Sequence, residues 1–239
     1  MTINTAMILS AGRGSRMGSL TNNLPKPLLT LYDNITLIDM QIYKLKKAGI
    51  ERIIINLGYL GHKIIEHLQF KKQQGVEMIY IYEDLGVFDT AGAIYRALPF
   101  LSETFLVVNA DVYTEFSYHA LTQFQFKKSC EAHLLIVDNP AHNLKGDCDL
   151  SCDGLLQFNG KNTPYTFTGV GVYHANFFKS VAPNTAVSLG SLFKELTVTG
   201  AVTGTYIHDF WSDVGTPRRL KSIQQYLQRN MPITNQGCI

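Results

Sequence analysis

Several features that mark other classes of protein are scarce in this chain of 239 residues. It has four cysteines, none in a C-x-x-C pair, so we expect reduced thiols in a cytoplasmic protein. No run of Lys or Arg exceeds two residues and the net charge is only +2, which argues against nucleic-acid binding and favours a small anionic substrate. No window holds the roughly 18 apolar residues of a membrane span, and no basic leader opens the chain, so we expect neither a signal peptide nor a membrane span.

Hydrophobic residues are abundant, at 46%, which is enough to bury a full core. In the first part of the chain, short apolar runs alternate with amphipathic stretches. These patterns predict strands at 5–9, 52–57, 76–82 and 105–109, and helices at 36–48, 61–74 and 91–97. Strands separated by helices at this spacing indicate an α/β fold with a mostly parallel sheet and helices on both faces.

After about residue 132 the predicted strands outnumber the helices. They lie at 133–137, 155–158, 165–174 and 203–207, and a helix is predicted at 217–228. No linker, repeat or low-complexity segment interrupts the chain. We therefore predict a single domain over 1–239, with a first half to about 130, a β-rich second half over about 131–216, and a C-terminal helix over about 217–230.

A loop rich in glycine follows the first strand, and it reads SAGRGSRM at 10–17 before continuing to LPKP at 24–27. A loop that wraps a triphosphate needs glycines, here Gly12 and Gly14, so that backbone N–H groups can point inward. It also needs cations, here Arg16 and Lys26, for the charge that develops on the leaving pyrophosphate. The alternative interpretation is an ordinary turn with two surface cations.

Two better-known phosphate motifs are excluded. A P-loop requires G-x-x-x-x-G-K-[ST], and no Gly-Lys pair followed by Ser or Thr occurs. A dinucleotide-binding fingerprint requires glycine at position 17, where Met17 stands, and an acid after the second strand, where the chain reads NLG at 56–58.

Two acidic residues are candidate metal ligands. Asp111 follows an apolar strand, and the carboxyl ends of parallel strands are where ligands of open sheets bind. Asp213 stands between Trp211 and a Gly-Thr-Pro turn, although it could instead cap the helix that begins near Pro217. Mg²⁺ prefers one or two carboxylates together with phosphate oxygens and water, so two acids remote in sequence suffice.

These segments together resemble the sugar-1-phosphate nucleotidyltransferase family. LSAGRGSRM at 9–17 with Lys26 downstream is similar to the opening motif of the family, VNAD at 108–111 to its first metal motif, and WSDVGT at 211–216 to its second. The resemblance implies a Rossmann-like, GT-A-like three-layer α/β/α fold with a mixed, mostly parallel sheet. It also implies an enzyme that joins a nucleoside triphosphate to a sugar 1-phosphate and releases pyrophosphate.

The resemblance also assigns roles to residues. It implies that Asp111 and Asp213 bind Mg²⁺, and that Arg16 and Lys26 compensate negative charge during catalysis. The residues that it assigns to the nucleotide, in the first half, are Ala11, Gly12, Arg13, Gly14, Lys26, Ala91 and Gly92. Those that it assigns to the sugar, in the second half, are Asn109, Gly146, Asp147, Thr168 and Gly169. Simpler interpretations exist for three pairs: a capped helix start at 91–92, a hairpin turn at 146–147 and a strand bulge at 168–169.

Two segments of the second half favour one substrate pair. VDNPAHNLKGD at 137–147 and YTFTGVGVYH at 165–174 resemble the short uridylyltransferases of the family that act on N-acetylmuramate 1-phosphate in cell-wall recycling. The alternatives are thymidylyl or guanylyl transfer to glucose, mannose or heptose 1-phosphate, and a non-catalytic relative that senses a nucleotide or sugar. Because muramate carries a lactyl carboxylate, we expect a cation in the sugar site and assign it to Lys145. We expect His142 to be a structural loop residue rather than a catalyst or metal ligand.

Overall fold

A computed structural model describes residues 2–71, 75–84, 88–127, 129–158 and 160–230. Its strands are β1 (Thr5–Leu9), β2 (Thr30–Tyr32), β3 (Ile35–Thr36), β4 (Arg52–Leu57), β5 (Glu77–Tyr82), β6 (Thr104–Asn109), β7 (Val112–Thr114), β8 (Ala132–Asp138), β9 (Asp149–Leu150), β10 (Leu156–Gln157), β11 (Tyr165–His174), β12 (Val202–Tyr206) and β13 (Trp211–Asp213). Its α-helices are α1 (Leu37–Lys47), α2 (Gly61–Phe70), α3 (Thr90–Ala97), α4 (His119–Thr122), α5 (Leu189–Leu196) and α6 (Pro217–Asn230).

Seven strands form one central sheet in the order β12-β8-β11-β6-β1-β4-β5. The four strands β5, β4, β1 and β6 run parallel, as their connections through helices require. Strand β11 runs antiparallel to both of its neighbours, β6 and β8, and β12 pairs in parallel with β8. The predicted mixed, mostly parallel sheet is therefore confirmed.

Helices cover both faces of this sheet, because successive side chains of a strand point to opposite faces. On β1, Ile8 packs in the same cluster as the apolar residues of α1 and α2. Its neighbour Met7 packs in a second cluster with those of α3 and α5. The fold is thus the three-layer α/β/α arrangement that the sequence predicted. Helix α6 packs outside these layers, against residues of α1 and β7.

Capping chemistry sets the start of α1. The Thr36 hydroxyl accepts a hydrogen bond from the Asp39 amide, and the Asp39 carboxylate accepts one from the Thr36 amide. Such a reciprocal capping box satisfies amides that the first helical turn leaves free. Helix α1 therefore lies within one residue of its predicted bounds at each end.

Other elements differ from the sequence prediction. Helix α2 ends at Phe70, and residues 72–74 of the predicted helix lie outside the described residues. The predicted strand at 155–158 is the short β10, which pairs with β9, while Leu155 before it forms a single antiparallel bridge to Thr203 of β12. The pairing of β7 with β13 and the helix α5 were not predicted, because each element is short and its partners are distant in sequence. No helix in the described part of the chain has both the length and the apolar character needed to cross a membrane.

Candidate active site

A cavity of about 440 Å³ opens at the carboxyl ends of β1, β4 and β6. Open α/β sheets bind their ligands at this edge, because the loops that leave the strands diverge there. The described residues that line the cavity are Leu9, Ser10, Ala11, Gly12, Gly14, Ser15, Arg16, Lys26, Pro27, Asn56, Glu83, Phe88, Asp89, Thr90, Ala93, Asn109, Ala110 and Asp111. We call it the first cavity.

The glycine loop forms one wall of the first cavity. Its first residue, Ser10, is fixed to the adjacent strand, because its amide donates a 2.7 Å hydrogen bond to the Asn56 side chain. Gly14 has a φ of 66°, in the left-handed region that favours glycine. A Cβ at this position would lie 3.0 Å from Cβ of Lys26, so the absent side chain lets the Lys26 stem pack against the loop. The loop and the lysine form one unit, although eleven positions separate Ser15 from Lys26.

The two arginines of the loop take different positions. Arg16 lines the first cavity, as expected for a cation that compensates phosphate charge. Arg13 is not among the described lining residues, and its guanidinium carbon lies 5.5 Å from the centroid of the Tyr59 ring. The role of Arg13 in nucleotide binding therefore stays a prediction that depends on its backbone or on a changed side-chain conformation.

Lys26 and Asp111 form an ion pair at the floor of the first cavity. Their side chains are 11% and 27% exposed, so both groups are shielded but accessible to a ligand. A pair of opposite charges in such a place can separate when an anion binds the ammonium and a cation binds the carboxylate. The sequence placed both residues near the reacting phosphates, and the structure brings them into contact.

Asp213 is not among the described lining residues of either cavity, but an antiparallel pair of short strands brings its backbone next to Asp111. Asp213 in β13 lies opposite Val112 in β7, and the next residue, Val214, donates its amide to the Asp111 carbonyl at 2.7 Å. Two acids about a hundred positions apart thereby become near neighbours. Because Asp213 belongs to a strand, it does not cap α6. The amide of Arg219 instead donates to the Thr216 hydroxyl.

The two carboxylates suit a divalent metal ion with oxygen ligands. Oδ1 of Asp213 is buried and receives no hydrogen bond from any described residue, so coordination of a metal would require only that the nearby His142 ring move. Nε2 of His142 lies 2.9 Å from this oxygen without hydrogen-bond geometry, and Nη2 of Arg219 lies 2.9 Å from Oδ2. The described residues contain no group of three or more His, Cys, Asp or Glu side chains that could hold a metal. Phosphate oxygens and water would complete the coordination shell of Mg²⁺.

His142 thus lies closer to the acidic pair than the sequence indicated. We expected a structural loop residue, and the structure places its ring nitrogen 2.9 Å from the Asp213 carboxylate. Its side chain is 38% exposed, so the contact is partly open to solvent.

A second cavity, of about 530 Å³, adjoins the first. The two share Thr90 and Asn109 in their walls. The described residues that line the second cavity are Thr90, Asn109, Gly146, Asp147, Phe158, Gly160, Phe167, Ser188, Leu189, Gly190, Ser191, Phe193 and Lys194. Three of the five residues predicted for the sugar, Asn109, Gly146 and Asp147, are among them.

The remaining two predicted sugar residues, Thr168 and Gly169, are not among the described residues that line the second cavity. Thr168 is buried, and its hydroxyl donates a 2.8 Å hydrogen bond to the Leu135 carbonyl. Gly169 has a φ of 80°, and a Cβ there would lie 2.5 Å from Nδ2 of Asn109. The register of β11 with β8 shifts between Phe167 and Gly171, so the bulge interpretation of this segment is correct. The bulge positions Asn109, and direct contact of Thr168 or Gly169 with a ligand stays a prediction.

Ala91 and Gly92, predicted to line the base, lie in the first turn of α3. Their amides donate to the Val187 carbonyl at 2.9 and 3.2 Å, and both residues are buried. Asp89 caps the helix by accepting the Thr90 amide at 2.6 Å. Among the described residues, the cavity wall is formed by the adjacent Asp89, Thr90 and Ala93 and not by Ala91 or Gly92, whose small size permits close packing.

Comparisons with known proteins identify the family and the fold of this chain. The model of the family described as Nucleotidyl transferase matches residues 5–146, more than half of the chain. The chain belongs to the nucleotidyl transferase family. It is 39% identical over 224 residues to an N-acetylmuramate alpha-1-phosphate uridylyltransferase of Neisseria meningitidis serogroup B, covering 92% of this chain and 96% of the relative. A protein of the same name from Caulobacter vibrioides is 30% identical over 225 residues, covering 89% of this chain and 92% of the relative.

Solved nucleotidyl transferase structures share the fold. HddC from Yersinia pseudotuberculosis, solved in complex with GMP-PN, superposes with a TM-score of 0.77 over 95% of this chain and all of that chain. The two sequences are 20% identical, so this likeness concerns the fold alone. The family and the fold predicted from the sequence are both confirmed.

Sequence reasoning missed several residues of this nucleotidyl transferase site. Asn56 and Glu83 lie at or just after the carboxyl ends of β4 and β5, as Asp111 does at the end of β6. Open sheets bind their ligands at this edge, so the sequence did carry a signal for both residues. Burial raises the pKa of Glu83, although the Asn56 amide donates a 3.1 Å hydrogen bond to it. Lys194 and Arg219 had no such signal, because they lie on helices whose packing depends on distant contacts.

Proposed function

We propose that this chain transfers UMP from UTP to N-acetylmuramate 1-phosphate and forms UDP-N-acetylmuramate and pyrophosphate. The observation that carries the proposal is a pair of adjoining cavities that share Thr90 and Asn109, with Lys26 and Asp111 at the floor of the first. This arrangement suits two substrates that must meet end to end. The choice of UTP and of the muramyl sugar is supported by the names of the two relatives and by the segments 137–147 and 165–174.

In the proposed reaction, a phosphate oxygen of the sugar 1-phosphate attacks the α-phosphorus of UTP. The new bond joins that oxygen to the α-phosphorus, and the bond from the α-phosphorus to the bridging oxygen of the β-phosphate breaks. No protein nucleophile or strong base is needed, because the attacking phosphate oxygen is already ionised at neutral pH. The chain's task is therefore to align the reactants and to compensate negative charge.

The residues of the first cavity divide this task. The glycine loop offers backbone N–H groups to the triphosphate, and Arg16 and Lys26 compensate the charge on the departing pyrophosphate. Asp111 and Asp213 would hold Mg²⁺, which supplies Lewis-acid polarisation of the phosphate oxygens when bound. Asn109 and the wall at 146–147 hold the sugar, so that its phosphate faces the α-phosphorus.

We place this reaction in the cytoplasm, where nucleoside triphosphates are available. Cys130, Cys148 and Cys152 are free thiols, which fits a reducing compartment. The consumption of an N-acetylmuramyl phosphate would serve the recycling of cell-wall sugars.

The test is a substrate grid. Purified protein with Mg²⁺ is incubated with each of four nucleoside triphosphates and several sugar 1-phosphates, and released pyrophosphate is measured, with chelated samples as controls. Release with UTP and N-acetylmuramate 1-phosphate, and its loss on chelation, is the expected result. Release only with another pair would keep the mechanism but overturn the substrates. No release from a folded protein that binds nucleotide would favour a sensing role.

A further inference from the structure

Helix α5 contributes nearly half of the described residues that line the second cavity. They lie in its cap and first two turns, at 188–191 and 193–194. The Leu189 amide donates a 2.8 Å hydrogen bond to the Thr90 hydroxyl, which ties α5 to a residue that lines both cavities. Phe193 stacks on Phe158 at 4.8 Å between ring centroids and meets Phe167 edge-on at 5.4 Å. The position of α5 relative to the reacting end of the site is therefore fixed by packing.

Few charged residues line the second cavity, and they differ in whether their charged groups already have a bonding partner. Asp147 is the one acid among its described lining residues, and its carboxylate is already bonded. Oδ2 accepts the Phe167 amide at 2.9 Å, and Oδ1 accepts the Asn143 side-chain amide at 3.0 Å. Lys194 is the one cation in the described wall, and it forms no ion pair with any described residue. The wall of the cavity thus contains an exposed lysine without a counter-ion among the described residues and a carboxylate that is already bonded.

Lys145, the residue to which we assigned this charge from the sequence, is not brought into the second cavity by the structure. It precedes Gly146 in the chain, but it is absent from the described walls of both cavities. Its carbonyl accepts hydrogen bonds from the amide and hydroxyl of Thr163 at 2.9 and 3.3 Å, which fixes the backbone of the turn. The neighbouring position in sequence is therefore not a neighbouring position in the cavity.

We propose that Lys194 is the specificity residue that binds the carboxylate of an acidic sugar substituent, such as the lactyl group of N-acetylmuramate. An unpaired ammonium favours an anionic substituent over a neutral hydroxyl, because it replaces part of the hydration that the carboxylate loses. The aromatic rings of Phe158, Phe167 and Phe193 give the methyl groups of the same sugar an apolar surface. This inference rests on the proposed function, since it assigns the second cavity to the sugar.

The test compares two sugars that differ in this substituent. The specificity constant kcat/KM is measured with UTP for N-acetylmuramate 1-phosphate and for N-acetylglucosamine 1-phosphate, which lacks the lactyl carboxylate. Lys194→Gln should lower kcat/KM about tenfold for the first sugar, as expected for one charged hydrogen bond, and leave the second nearly unchanged. Lys194→Arg should restore most of the preference. Lys145→Gln is the matched control and should change neither value.

An equal loss for both sugars, or no loss with Lys194→Gln, would overturn the proposal. If the wild type turns over neither sugar, the proposed function fails, and calorimetric binding of the same two sugar phosphates tests Lys194 separately. A wild-type preference for the acidic sugar that Lys194→Gln removes would support the assignment in that case. Equal binding of both sugars by the wild type would contradict it.

Discussion

The first and second cavities differ in how the chain builds them. The first takes much of its wall from two continuous segments, the loop at 9–16 and the strand end at 109–111. The second takes its wall from short pieces at 146–147, from Phe158, Gly160 and Phe167, and from the start of α5, which meet only in the folded protein. Their charges differ as well, because the first contains Arg16, Lys26 and three acids, one of which pairs with Lys26, whereas the second has aromatic rings and a lysine with no ion pair to a described residue.

We infer from this contrast that the first cavity serves the reaction and that the second serves the choice of sugar. Charge compensation at a triphosphate makes the same demand whatever the sugar, so a compact motif on one strand and loop can satisfy it. Selection of a sugar depends on shape and on a few polar groups, which distant segments can vary without disturbing the first cavity. Substitutions in the first cavity should therefore abolish turnover for every substrate, and those in the second should change the choice among sugars.

The largest effect is expected at Asp111. Asp111→Asn removes a carboxylate that would hold Mg²⁺ and leaves Lys26 without its counter-ion. We expect kcat to fall on the order of 10³-fold for all sugars, because a charged group at the reacting phosphates is lost. Pyrophosphate release measures the effect, and circular dichroism checks that the fold is intact. Full activity of this variant with Mg²⁺ present would exclude Asp111 as a metal ligand.

The sequence indicated part of the first cavity, because some of its determinants are local. Gly14, Lys26 and Asp111 follow from a glycine loop and a strand end, and the edge at which they meet follows from the parallel order of the strands. The association of Asp213 with Asp111 depends on two three-residue strands, β7 and β13, that carry no periodic signal. The family resemblance indicated this association, but residue patterns alone did not.

The second cavity was predicted only in part for the same reason. Gly146 and Asp147 stood out as a turn, but the eight-residue α5 was too short to recognise among apolar neighbours. Nothing in the sequence indicates that Thr90 holds the start of α5, since that hydrogen bond joins residues 99 positions apart. Lys145 was chosen for its nearness in sequence, whereas the packing of Phe193 brings Lys194 to the cavity.

A smaller and more selective effect is expected at Gly146. Its φ is +67°, and a Cβ would lie 2.2 Å from the Thr163 carbonyl oxygen, so Gly146→Ala must displace the turn that carries Asp147. We expect KM for the sugar phosphate to rise about tenfold through misplacement of the wall, while KM for UTP stays within about twofold. Steady-state kinetics with each substrate varied in turn would measure both values.

Gly154→Ala is the matched control for this change. Gly154 has a similar φ of +79°, but a Cβ there would meet no atom within 4 Å, so only the cost of the left-handed backbone applies. Gly154→Ala should lose about 1 kcal/mol of unfolding free energy, Gly146→Ala should lose more because of the added clash, and only Gly146→Ala should alter sugar binding. A rise in the KM for UTP instead of the sugar would contradict the assignment of the two cavities.

The smallest effect concerns whether the two halves of the chain unfold together. His133 in β8 is buried, stacks on Phe124 at 4.0 Å between ring centroids, and bonds through its two nitrogens to the hydroxyls of Thr203 and Thr205. Burial lowers the pKa of His133 from 6.5 to about 4. The unfolded chain binds a proton at His133 more readily than the folded protein does. The stabilising contribution of the neutral, buried His133 is therefore complete above pH 6.5 and is lost as the pH falls toward 4.

Between pH 7 and pH 5.5 this histidine should cost about 1 kcal/mol of unfolding free energy, a cost that His133→Gln should remove. Urea unfolding of both proteins at the two pH values measures it. Trp211, the single tryptophan, donates to the Thr168 carbonyl and pairs with Thr114, so it reports on the contact between the two halves, whereas far-UV circular dichroism reports on the whole sheet. The predicted single domain requires the two probes to give coincident transitions at both pH values. If Trp211 reported an earlier transition at pH 5.5, the two halves would separate before the sheet unfolds, and the contrast between the cavities would extend to stability.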